Sequence, residues 1–146
     1  MKNNKLRAEL IKSKLSKLID TLNVIEENLP TSFSDFKNSR IIRDAIYKEI
    51  EFCIEIVLDI CSIINSDLSL GMPEVEENIL DNIEKKKILD KKTMNLIREM
   101  KKFRNVLVHK YGEIDDEQAF ETIKENLNDF NYVSEEIEKL LKKIST

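Results

Sequence analysis

Glycine and proline are almost missing, with two of each in 146 residues. A β-sandwich or barrel turns about every 8–12 residues and draws on those residues to do so. That class is therefore excluded, and long helices are the expected alternative. No apolar run reaches the roughly 18–20 residues needed to cross a bilayer, so no membrane span is expected. The opening MKNNKLRAEL has no apolar core followed by a small-residue cleavage site, so it does not read as a signal peptide. Cysteine occurs only at positions 53 and 61. On one helix those positions lie about 12 Å apart along the axis, too far to bridge. They read as small core residues of a reducing cytosol, and a cytoplasmic protein is expected. Histidine occurs once. One histidine and two cysteines in apolar surroundings do not make a usual zinc set, and no glycine-rich phosphate loop is present. No metal or cofactor is expected.

What is present is charge and apolar periodicity. Apolar residues make up 41% and charged residues 36%, the mixture of a folded chain rather than a disordered one. The length suits a single domain over residues 1–146 with a core of its own. Ile11, Leu15, Leu18, Leu22, Ile25 and Leu29 recur at spacings of four and three, predicting a helix over 5–28 that Pro30 stops. TSFSDF reads as a loop, with Phe33 and Phe36 tucked against the rest. A second helix is expected over 38–66. Its second half, IEFCIEIVLDICSII, is apolar on nearly all sides, which places it centrally and at a subunit interface. SDLSLGMP breaks the pattern, and a short helix follows over 74–86. Asp90 is the expected N-cap of a fourth helix that ends near 111–112, with Gly112 as its C′ glycine. Asp115 or Asp116 caps the last helix, running to about 143 with Phe120, Ile123, Leu127, Phe130, Val133, Ile137, Leu140 and Leu141 as its stripe. The fold class is all-α: an antiparallel up-and-down bundle of four long helices and one short one.

Charge is segregated. Residues 85–110 hold ten basic and two acidic residues, a net +8. Residues 113–138 hold ten acidic residues and one lysine, a net −9. Either the two segments neutralise one another, or the basic one guides a phosphate backbone. The whole chain is −4, which argues against general coating of nucleic acid.

The basic segment contains FRNVLVHKY at 103–111. At about 100° per residue, Asn105 and His109 share a helix face, and Arg104 and Tyr111 lie about 20° apart. Arg104 and His109 diverge by about 140°, so they converge only if the arginine folds round, the helix end is irregular, or two copies meet. Histidine can give or take a proton near neutrality. Arginine grips phosphate with a planar fork, and asparagine can orient a ring nitrogen or a substrate oxygen. This set suits metal-free RNA cleavage with the substrate's own 2′-OH as nucleophile. His109 would act as general base or acid, Arg104 would stabilise the phosphorane, and Lys101, Lys102 and Lys110 would line the RNA path. A plainer account also fits. A histidine in a last turn is favoured by the helix dipole, Tyr111 can edge a core, and Arg104 can pair with Glu99 or Glu113. Other carboxylates fall on solvated faces with no pairing pattern.

The stretch resembles the R-x4-H-x-Y signature of the HEPN superfamily, and specifically the HepT-like ribonuclease toxins of HepT/MntA toxin–antitoxin systems. It stands here as Arg104, Asn105, three apolar residues, His109, Lys110 and Tyr111. MKKF before the arginine, Ile114 and Asp115 after the tyrosine, Asp44-Ala45-Ile46 with Glu51, and Gly71-Met72-Pro73 resemble the family as well. The likeness runs over roughly residues 6–140. It implies an all-helical homodimer that is a metal-independent endoribonuclease, with Arg104 and His109 as the catalytic pair near the dimer cleft and Asn105 in support. It implies a partner, an MntA-like nucleotidyltransferase antitoxin that silences the toxin by transferring AMP to Tyr111. One departure stands out. Some relatives carry a second histidine in a run like D-x-x-S-H, where this chain has Asp59, Ser62 and then Ile63. A different function remains open beside it, that of a non-catalytic helical subunit presenting a nucleotide or substrate to a nucleotidyltransferase.

Overall fold

The computed structural model describes residues 6–145. These form seven α-helices and no strand: α1 (Ala8–Asn28), α2 (Phe33–Asn38), α3 (Arg40–Asp67), α4 (Glu76–Lys85), α5 (Lys91–His109), α6 (Asp116–Asn126) and α7 (Asp129–Ser145), with a 3-10 turn at Tyr111–Glu113 between α5 and α6. The expected first helix begins at Ala8, and residue 5 lies outside the described residues. No helix is long and apolar enough to cross a membrane among the described residues.

The α3 helix is the hub, touching α1, α2, α4 and α5. The predicted stripe of α1 is buried against it from Ile11 to Ile25. Arg7 pairs with Asp67 at 3.0 Å and Lys14 with Asp59 at 3.7 Å, so α1 and α3 run antiparallel. Most of the apolar excess of α3 is covered within one protomer. Ile56 and Leu58 are buried, as are Cys53 and Cys61, whose thiols burial pushes up to about 12. Most of the apolarity of α3 is thus met by its own chain, and Phe52, at 40% exposure, is the large apolar side chain of this run left open.

TSFSDF is a helix rather than a loop. Ser32 Oγ accepts the Asp35 N–H at 3.2 Å, which caps α2. Phe36 is wedged between Tyr47 and Phe120, with ring centroids at 5.6 and 4.9 Å. The serine that looks like a loop residue is the N-cap here, and the aspartate lies in the first turn of the helix. The last predicted helix is two helices. Its stripe is buried on both, from Phe120 and Ile123 through Phe130, Val133 and Ile137, but the chain breaks between Asn126 and Asp129. Asn126 Nδ2 donates to the Thr122 carbonyl at 2.9 Å and Asn131 Nδ2 donates to Asn128 Oδ1 at 3.0 Å. Asparagines offer such local bonds in competition with the helix ladder.

Glycine scarcity shows in how helices end. The turns after α3 and α4 use Ser69 and Lys87 at φ 52° and 57°, positions where glycine is usual. Gly112, expected to play that part after α5, is not left-handed and lies inside the 3-10 turn. Gly71 is the glycine that its place demands, with φ 148°. Its carbonyl accepts from Asn65 Nδ2 at 2.9 Å, and Asn65 Oδ1 accepts from Asn82 Nδ2 at 3.0 Å. The buried Asn65 thus ties α3, the loop after it and α4 together. The Asp90 cap is as expected, with Oδ1 accepting the Thr93 N–H at 2.8 Å.

A side chain at position 71 would meet Asn82 at 2.9 Å in a backbone region that strains any L residue. Gly71→Ala should cost about 1–3 kcal/mol of stability, read as a lower midpoint in urea unfolding. An unchanged midpoint would mean that this loop is not held as described.

Candidate active site

Charge on α5 is arranged by spacing. Arg98, Lys101 and Arg104 recur every three residues and face α4, which offers Glu77, Asp81 and Glu84 at i, i+4 and i+7. Arg98 bonds Glu77 and Asp81, each at 2.9 Å, and also Glu84. Lys101 Nζ sits 3.0 Å from Glu77 and 3.9 Å from Glu76. The basic segment is therefore paired chiefly with α4, through Arg98, Lys101 and Arg104. It also reaches α7, where Lys92 Nζ lies 4.4 Å from the centre of the Tyr132 ring.

Arg104 closes the ladder. Nη1 donates to Glu55 of α3 and Nη2 to Glu76 of α4, each at 2.5 Å, and Nε donates to Asn105 Oδ1 at 2.9 Å. Only 13% of its side chain is exposed. Burial pulls the guanidinium pKa down, but the bonds to Glu55 and Glu76 outweigh it and hold the group above its ordinary value. The partners expected from the sequence, Glu99 and Glu113, are not the ones used. Glu99 pairs with Lys102 at 3.3 Å.

His109 is different. It is the last residue of α5, exposed, with Val108 and Lys110 exposed on either side. The helix is regular up to it, so the divergence from Arg104 stands, and no hydrogen bond joins the two within the protomer. The Lys110 N–H donates to the Val106 carbonyl at 3.0 Å and ends the helix. Tyr111 opens the 3-10 turn, so the helical spacing that put it on one face with Arg104 does not extend to it. Its side chain lies outside what the structure describes. The link from His109 is secured again at Asp116, whose Oδ1 accepts the Tyr47 hydroxyl at 2.5 Å and whose Oδ2 lies 3.7 Å from Arg43. Burial first, and then Asp116, push the Tyr47 pKa up. Of the three lysines expected to meet RNA, Lys102 and Lys110 are exposed and Lys101 is largely buried in the ladder.

Glu55 and Glu76 escaped the reading of the sequence. One signal was there: Glu55 is a lone charge between Ile54 and Ile56, in a run that has to be buried and so needs a partner. A second was the Glu77, Asp81, Glu84 pattern, complementary to the basic one on α5. A cavity of about 330 Å³ lies elsewhere on α5, lined by Ile54, Met100, Phe103, Val106, Ile123 and Phe130 among others, and it includes neither Arg104 nor His109. Among the described residues, no group of three or more His, Cys, Asp or Glu is placed to hold a metal ion.

The sequence pattern of the family described as Ribonuclease HepT-like matches residues 18–137, most of the chain and all of the stretch just described. The chain belongs to the ribonuclease HepT-like family. It is 24% identical over 97 residues to the mRNA nuclease HepT of Shewanella oneidensis, covering 66% of this chain and 73% of that one. Two solved structures share the fold. One is the tri-AMPylated HEPN toxin of Shewanella oneidensis in complex with MNT antitoxin, with TM-score 0.79, 20% identity, and coverage of 95% and 99% of the two chains. The other is a mutant form of an MntA toxin–antitoxin pair, with TM-score 0.79, 19% identity, and coverage of 88% and 98%.

In this HepT-like chain the ladder also sets a pH limit. Burial works to raise the Glu77 carboxyl, but Arg98 and Lys101 overcome it and leave the group below its ordinary 4.5. A carboxylate depressed in the folded state stabilises the fold above its unfolded value, and that contribution is lost as pH falls through the folded one. Unfolding free energy should be level near neutrality and drop below pH 4.5. Glu77→Gln should make the drop shallower, as measured by urea titrations between pH 6 and 3; an equally steep drop in the variant would remove Glu77 from the acid limb.

Proposed function

We propose that this protein is the toxin of a toxin–antitoxin pair, a cytoplasmic single-domain HEPN ribonuclease that cleaves RNA without a metal. The observation that carries the reading is the family match across the stretch holding Arg104, Asn105, His109 and Tyr111. A relative named as an mRNA nuclease and structural neighbours described as toxin–antitoxin complexes support it. The 2′-OH attacks the adjacent phosphorus, its proton passes to a base, and the 5′ oxygen leaves with a proton. His109 serves as base or acid, reached freely from solvent. Arg104 stabilises the charge that builds on the phosphorane, and Asn105 steadies its Nε. The products are a 2′,3′-cyclic phosphate and a 5′-OH. Lys102 and Lys110 draw in the backbone, while Lys101 acts through the ladder.

Arg104 and His109 point apart on one helix, which supports a homodimer whose two motifs complete one another. Control comes from an MntA-like nucleotidyltransferase that transfers AMP to Tyr111. An anionic, bulky group two residues from His109 would occupy the phosphate site and repel RNA. A second reading takes its support from the pairing of Arg104. A guanidinium already held by two carboxylates suits a non-catalytic subunit that presents a nucleotide or substrate to a nucleotidyltransferase.

The deciding assay is incubation of the AMP-free protein with bulk RNA in EDTA. Wild type should cleave, and His109→Ala should lose about 10²–10⁴-fold in rate with its helix content unchanged. Equal rates for the two proteins would remove His109 from the chemistry, and no cleavage by an unmodified dimer would favour the second reading.

A further inference from the structure

The two carboxylates on Arg104 differ in what else they can reach. Glu76 Oε1 lies 2.5 Å from Arg104 Nη2 and 3.9 Å from Lys101 Nζ. Glu55 Oε1 lies 2.5 Å from Nη1, and among the described residues no other cation pairs with it. Both side chains are partly open to water, at 39% and 40% exposure, so either has room to turn. Their attachment differs too. Glu55 sits within the long hub helix, and Glu76 is the first residue of the ten-residue α4, directly after the loop over 68–75.

Every nitrogen of the Arg104 fork already donates a bond. The two carboxylate oxygens lie where the oxygens of a phosphodiester would bind, because an arginine fork meets both anions with the same planar geometry. The local count of Arg104 and Lys101 against Glu55, Glu76 and Glu77 is a net −1, which disfavours another anion. Nη1 and Nη2 each keep a second N–H, but the side chain is only 13% exposed, so a phosphodiester that meets the fork where Glu55 and Glu76 now sit has to displace one of them. We propose that Glu76 is a displaceable latch on Arg104: it gives up the guanidinium to an incoming RNA phosphate and swings onto Lys101, while Glu55 keeps its bond as a positioning residue that holds the fork from α3. Lys101 is thus the acceptor that keeps the released carboxylate paired, which accounts for a basic residue in the RNA-cleaving stretch that is not exposed. The choice of RNA as ligand rests on the ribonuclease reading, and the latch is tested without requiring cleavage.

The probe is a fluorescent RNA oligonucleotide with 2′-O-methyl sugars, which cannot be cut through the 2′-OH, titrated in EDTA by anisotropy. Glu76→Gln should tighten binding by roughly two- to fivefold, the size expected for release of a partly exposed ion pair. Glu76→Asp keeps the charge but withdraws it, and should change affinity in the same direction. The gain should vanish in an Arg104→Ala background. Glu84→Gln removes the same charge from Arg98 alone and should give a smaller gain. Glu55→Gln should not tighten binding, because the fork loses its anchor. An equal gain from Glu84→Gln would reduce the effect to net charge, an equal gain from Glu55→Gln would erase the asymmetry, and no gain from either Glu76 variant would show that nothing is latched; each overturns the proposal. If wild type cleaves no ordinary RNA, the ribonuclease reading falls while the anisotropy series still decides the latch.

Discussion

A 28-residue helix whose second half is apolar on almost every side has to be covered there on almost every side. That requirement on α3 organises the whole molecule. Apolar contact is not directional, so covering α3 does not by itself say which neighbour sits where or at what height. The polar exceptions along α3 supply that information. Asp67 and Asp59 meet Arg7 and Lys14 of the α1 end and body, Tyr47 meets Asp116 at the start of α6, Asn65 meets the loop and Asn82 of α4, and Glu55 meets Arg104 of α5. Between them these polar residues tie the central helix to α1, α4, α5 and α6. Burial drives the assembly, and these few bonds fix its register.

The α4–α5 ladder adds a second layer of the same kind. The two helices run antiparallel, since Arg98 reaches Glu84 while Lys101 reaches Glu77. Single exposed ion pairs contribute little, but here three cations share several carboxylates, so that each cation is held by more than one contact. Arg104 sits where this ladder meets the polar set of α3. Its orientation is thus a property of three helices, whereas His109 depends on the end of one.

The sequence makes the long elements plain because their signal is periodic. The α1 stripe and the apolar stripe that α6 and α7 share follow from spacing, and the Asp90 cap from residue type, but the break between α6 and α7 does not. Ser32, Asp35, Asn126 and Asn128 show where such reading stops. The same residue types cap helices, break them or sit in loops, and only the positions of Phe36 and Phe120 in the core decide which. Among the site residues, Arg104 and His109 stand out by type and spacing and by likeness to a family. Glu55 and Glu76 do not, because they lie 49 and 28 positions from Arg104 and only the packing of α3 and α4 brings them to it. The regular end of α5 could not be foreseen either, since Gly112 advertises a left-handed cap that the chain does not use.

The short link after α5 has a consequence for access. His109 ends a helix, and Asp116 is bonded to α3 seven residues on. Even fully stretched, two residues of chain carry Tyr111 no more than about 7 Å from the helix end. The tyrosine is on a short leash and cannot be threaded into a deep, narrow cleft elsewhere. Under the proposed control, an enzyme acting at Tyr111 would therefore have to come to the end of α5 and would cover His109 in the same encounter.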